Sequence, residues 1–112
     1  MKLILTLITL TFSVSAVLSQ DCADLESELE KGDLQVAFNL AKTSENSTYP
    51  HCLNLSGQVY LRRGDFDTAL SIFEKAERFS EVKTSEKANS LNNIGLTLQS
   101  TGNYQEAISY LL

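Results

Sequence analysis

Past residue 20 the apolar residues of this chain keep a helical rhythm that breaks and restarts. Leu53, Gly57 and Tyr60 recur every three or four positions, Gly64-Asp65 interrupts, and Phe66, Ala69, Leu70, Phe73 and Ala76 resume the rhythm. That spacing puts each set on one face of a helix, so the segment reads as two amphipathic helices joined by a tight turn. The alternation returns with Leu91, Ile94, Gly95 and Leu98 before Gly102-Asn103, and with Tyr104, Ala107, Ile108 and Leu111 after it. A weaker copy stands earlier, around Gly32-Asp33-Leu34 and Ala37. The pattern predicts an all-α fold made of repeated helical hairpins.

The three turns share a cassette: GDLQVA from Gly32, GDFDTA from Gly64 and GNYQEA from Gly102, at spacings of 32 and 38 residues. Glycine ends a helix in the left-handed conformation without a Cβ clash, and the following Asp or Asn accepts N–H bonds from the start of the next helix. Arg62 and Arg63 precede Gly64, where the helix dipole favours cations, while Asp67 and Glu106 fall in first turns, where it favours anions. Gly57 precedes Ala69 by twelve residues, and Gly95 precedes Ala107 by the same twelve. These small residues are expected to face each other where two antiparallel helices approach, with Tyr60 and Phe73, or Leu98 and Leu111, filling the space beyond. A side chain inserted at that point costs about 1–3 kcal/mol by overpacking.

With Leu53, Gly57, Tyr60, Gly64-Asp65-Phe66, Ala69, Phe73 and Ala76 in one unit, and Leu91, Ile94, Gly95, Leu98, Gly102-Asn103-Tyr104, Ala107 and Leu111 in the next, the chain resembles tetratricopeptide repeats. The resemblance implies an α-solenoid of antiparallel helix-turn-helix repeats. About three are expected, over residues 20–47, 50–83 and 88–112, the first degenerate and the last incomplete. The first departs from the pattern, with Leu25 in place of the small Gly and Glu28 in place of the Tyr. Departures in length fall between repeats: TSENSTYP ends at Pro50, which suits a first helical turn, and ERFSEVKTSEK supplies about one extra turn.

In the resembling family the first helices of successive repeats line a concave groove that receives peptides or other proteins. Matched position by position, the inward residues are His51, Asn54, Gln58 and Leu61 in the second repeat, and Asn89, Asn92, Leu96 and Gln99 in the third. Asn54 and Asn92 occupy the same place, and such amides can donate to and accept from an extended peptide backbone. None of these positions is basic, which argues against the carboxylate-clamping subtype. Cys22 and Cys52 fall near the starts of the first two of these helices, which lie side by side in the family. A Cys22–Cys52 disulfide is therefore expected if the chain reaches an oxidising compartment, with two reduced thiols as the alternative.

Composition adds a compartment. At 112 residues, 43% apolar and 21% charged, the chain is one globular domain at most. Met1-Lys2 is followed by LILTLITLTFSVSAVLS, uncharged up to Asp21, the pattern of a signal peptide cut after Ala16 or, by preference, after Ser19. Leu3 to Ser19 is seventeen residues, against about 20 for a bilayer-spanning helix, so cleavage is favoured over a membrane anchor. Removing residues 1–19 takes away Lys2 and no acid, moving the formal charge from −5 to −6. Six acids lie between Asp21 and Asp33 against Lys31 alone, and read as a solvated helix face. Arg62-Arg63 is the one adjacent basic pair, too little for a nucleic-acid partner.

No constellation in the sequence carries catalysis. His51 is the sole histidine, and its neighbour Cys52 projects about 100° away on a helix, so the two do not form a thiol–imidazole pair. No metal cluster, phosphate loop, cofactor or small-molecule substrate is expected. The function expected is an exported, periplasmic or secreted scaffold that binds a protein or peptide, touching membrane only if the leader stays attached. The alternative is the extracytoplasmic sensor region of a longer signalling protein, such as a sensor histidine kinase.

Overall fold

The structure, a computed structural model, describes residues 22–111; the leader expected over residues 1–19 lies outside them. Helix α1 is described over 22–31, followed by α2 (Leu34–Ser44), α3 (Pro50–Arg62), α4 (Phe66–Phe79), α5 (Ser85–Ser100) and α6 (Tyr104–Leu111). No described helix is long and apolar enough to cross a membrane.

The three glycine turns are built alike. Gly32, Gly64 and Gly102 take φ of 81°, 82° and 84°, the left-handed region that a Cβ disfavours. In each turn the residue after the glycine donates its N–H to the carbonyl five residues back: Asp33 to Glu28 at 3.3 Å, Asp65 to Tyr60 at 2.9 Å, Asn103 to Leu98 at 2.9 Å. This closes the end of the first helix. Asp33 and Asp65 then start the second, their carboxylates accepting from Val36 N and Thr68 N, each at 3.3 Å. At the third turn the Asn103 amide donates instead to Thr101 Oγ1 at 2.9 Å.

Turns this short fold each helix back on its predecessor. From α2 to α6 each helix packs on the next, and α3 also packs on α5, so the first helices of successive hairpins form one layer and the second helices another. The core lies between the layers, centred on Leu25, Leu53, Val59 and Phe73, all fully buried. Cations tie the first hairpin to the second at helix ends: Arg62 Nη1 donates to Leu29 O and Lys75 Nζ to Glu45 O, both at 3.1 Å. Lys87 donates to the Glu77 carbonyl at 3.1 Å and to its carboxylate.

Two sequence expectations change in detail. The atoms nearest a Cβ placed on Gly57 belong to the Phe73 ring, at 2.4–2.8 Å, rather than to Ala69. The notch opened by the glycine is filled by a large residue one turn beyond the alanine. Gly95 repeats this with Leu111, 2.7 Å from its virtual Cβ, and with the Ala107 carbonyl at 3.4 Å. The third hairpin also starts earlier than Ala88, because α5 begins at Ser85 with Thr84 as its cap, Oγ1 accepting from Lys87 N at 3.2 Å. The residues beyond the repeat period lengthen α4 and α5, in keeping with the extra turn expected from ERFSEVKTSEK.

Candidate functional site

Tyr49 and Pro50 set where α3 begins. Pro50 occupies its first turn, where the missing N–H is no loss, so His51 stands at the open end of the helix, half exposed. Asn54 and Gln58 follow at helical spacing on the side that meets α5. On the other flank α1 is held against α3 by a disulfide between Cys22 and Cys52, whose Cα atoms are 5.5 Å apart and whose side chains are buried. The first helices of all three hairpins thus run side by side, and their polar side chains meet in a cleft of about 300 Å³.

Of the eight groove residues expected from sequence, His51, Asn54, Gln58, Asn89 and Asn92 line this cleft. Leu61 packs partly buried against the core, whereas Leu96 and Gln99 lie exposed further along α5 and outside the cleft lining. Asn54 does not match its repeat partner Asn92. It is 4% exposed, its Nδ2 donates to Ser90 Oγ at 2.9 Å, and its Oδ1 accepts from Asn93 Nδ2 at 3.2 Å. The physical reason is position in the stack: α5 covers the α3 face that carries Asn54, while Asn92 on α5 remains exposed. Asn54 is a bolt between two hairpins, and the amides open to a ligand are those of Gln58, Asn89 and Asn92.

Two carboxylates complete the site, and the sequence reading missed both. Glu26 Oε2 on α1 lies 3.3 Å from His51 Nε2, and Glu86 Oε1 on α5 lies 3.8 Å from His51 Nδ1. Glu86 Oε2 is buried without a hydrogen-bond partner. Glu26 was within reach of the repeat register, since it stands 32 residues before Gln58, as Gly32 stands before Gly64. In sequence it is masked by the acidic run from Asp21 to Asp33, which reads as a solvated face. Glu86 lies in the added turn of α5, ahead of the position where the repeat pattern starts; only the Thr84-Ser85 cap signal could have extended the helix to include it.

Behind the cleft, side chains of α2 and its C-cap pack on α3 and the Arg63 that ends it. The Tyr60 hydroxyl donates to Glu45 Oε2 at 2.5 Å, and its ring meets Phe38 edge-on with centroids 5.6 Å apart. Burial first, then the hydrogen bond to the Glu45 carboxylate and its negative charge, push the Tyr60 hydroxyl pKa up to about 12. Arg63 stacks over the other side of the joint, 3.3 Å from the Phe38 ring centroid.

Side-by-side first helices, a second layer behind them and a cleft across the first layer define a helical-repeat scaffold. The tetratricopeptide repeat family model matches residues 49–112, more than half of the chain, and the protein belongs to that family. Domains of this family are generally modules for protein–protein interaction and are usually non-catalytic. Comparison with curated proteins finds no match.

Proposed function

We propose that this protein is an exported interaction scaffold that holds a peptide segment of another protein in the cleft along α1, α3 and α5. The observation that carries the reading is convergence. Gln58, Asn89 and Asn92 come from two helices to one cleft, each with an amide that no hydrogen bond to another described residue occupies. Such amides satisfy the alternating N–H and C=O groups of an extended chain, while the rigid stack behind them limits the entropy lost on binding. The leader pattern supports export, and so does the Cys22–Cys52 disulfide, since such bonds persist in oxidising compartments.

Selection of a random-peptide phage library on the oxidised full chain tests the cleft. Selected peptides should lose about tenfold or more in affinity for a Gln58→Ala/Asn92→Ala double variant, the effect of removing two hydrogen-bonding groups. Peptides that bind this variant as well as the parent would place the binding surface elsewhere. For export, the N-terminal sequence of protein recovered outside the producing cell should begin near Gln20, and retention of the intact leader inside the cell would defeat that part of the reading.

A further inference from the structure

Asn46-Ser47-Thr48 and Asn54-Leu55-Ser56 both carry the Asn-X-Ser/Thr spacing of an N-glycosylation acceptor, with no proline in the middle. The fold treats the two in opposite ways. Asn46 lies in the turn between α2, which ends at Ser44, and α3, which begins at Pro50, and both Asn46 and Thr48 are exposed. Asn46 Nδ2 has two N–H groups; one donates to Lys42 O at 3.4 Å, which leaves the other for a new bond. Asn54 sits inside α3, 4% exposed, with its Nδ2 committed to Ser90 Oγ on α5 at 2.9 Å, and Ser56 is fully buried. A sugar at Asn54 takes the place where α5 packs, so a chain modified there does not stack its second hairpin on its third.

We infer that Asn46 carries an N-linked oligosaccharide, an inference that rests on the chain being exported, because the transfer takes place on the lumenal side of a secretory membrane. The donor is an oligosaccharide held on a lipid pyrophosphate. Asn46 Nδ2 bonds to the anomeric carbon, the bond from that carbon to the pyrophosphate oxygen breaks with its electron pair on the oxygen, and the nitrogen gives up one proton. No oxidant or reductant enters, and the remaining N–H still reaches Lys42 O. The Cys22–Cys52 disulfide agrees with the same oxidising compartment. None of residues 45–49 lines the cleft along α1, α3 and α5, so the oligosaccharide leaves it open. It stands instead at the edge of the stack where the α2–α3 loop meets Lys75 and Arg78 of α4, and gives that edge a bulky, hydrated cover.

The test is made on the full chain secreted by the cell that naturally produces it. Enzymatic release of N-glycans should lower its mass by one oligosaccharide and convert Asn46 to Asp, read by peptide mass spectrometry. Asn46→Gln and Thr48→Ala, both at exposed loop positions, should each lose that shift. Ser56→Ala removes the second acceptor sequence together with a hydroxyl that has no hydrogen-bond partner, and should keep the shift. Secreted protein with its leader cut and Asn46 unmodified overturns the inference while the export reading stands. A shift that survives Asn46→Gln overturns it as well. Chain held inside the cell with its leader intact fells both readings.

Discussion

The first and second hairpins solve one packing problem with opposite choices. At the close approach the second hairpin places Gly57 on α3 and the fully buried Phe73 ring on α4, in contact. At the matching positions the first hairpin has Leu25 on α1 and Ala41 on α2, both fully buried. Large and small have changed sides while their sum has stayed similar. The third hairpin, with Leu111 against Gly95, follows the second. What the fold requires at this place is one large residue and one small one, with either helix able to supply the bulk.

The largest expected effect breaks that pairing. Gly57→Leu drives a side chain into the Phe73 ring, which is enclosed and cannot withdraw, and should abolish the cooperative unfolding transition. Phe73→Ala leaves a cavity and should cost about 3–5 kcal/mol. The double variant, which copies the Leu–Ala pair of the first hairpin, should be more stable than either single change. Thermal or urea unfolding of the four proteins measures the coupling. Additive losses would show that the first hairpin accommodates Leu25 in another way.

A second effect, of about 2–4 kcal/mol, sharpens the difference between the hairpins at the disulfide. The Cys22–Cys52 bond closes a loop with a sequence separation of 30 and fastens α1 to α3, whereas α5 is held on α3 by side chains alone, among them Asn54, Ser90 and Asn93. Reduction, or Cys22→Ala with Cys52→Ala, should raise hydrogen exchange across 22–31 while α3 to α5 stay protected. A uniform rise through all the helices would mean that the bond stabilises the stack as a whole rather than its first hairpin.

How far the sequence foretold these features depends on whether the physics is local. The turns were legible, because a left-handed glycine followed by a capping Asp or Asn acts within about six residues. The bulk at the close approach is half legible: the spacing marks Gly57 and Gly95 as small but pairs Gly57 with Ala69, where Phe73 touches it, since a one-dimensional spacing does not reveal which turn of the facing helix fills a notch. Leu25 looked like a departure because its compensation, Ala41, lies across the hairpin. Asn54 and Asn92 could not be told apart in sequence, as they differ only in whether another helix covers them. The Glu26–His51–Glu86 cluster joins three hairpins, and the register that would have aligned it was broken by the extra turn of α5.

The smallest effect examines the joint between the two hairpins. Where the second has Tyr60, bonded to Glu45 at the end of α2, the first has Glu28, paired among the described residues with the exposed Lys31. Folding favours the neutral phenol, whose pKa rises from 10.0 to about 12. A raised folded pKa means that this contribution is fully present below the unfolded value and is lost as pH rises through the folded one, hence between about pH 10 and about pH 12. Tyr60→Phe removes the titrating group along with the bond, so it should be less stable than the parent by about 1 kcal/mol at neutral pH. That gap should close and then change sign as the pH is raised through the same window, because lysine titration is common to both proteins and cancels in the difference. Stability curves for the pair, measured by urea unfolding from neutral to strongly alkaline pH, give the difference directly. A gap that stays constant would show that the Tyr60 hydroxyl does not hold the joint through Glu45, and that ring packing against Phe38 alone joins the hairpins.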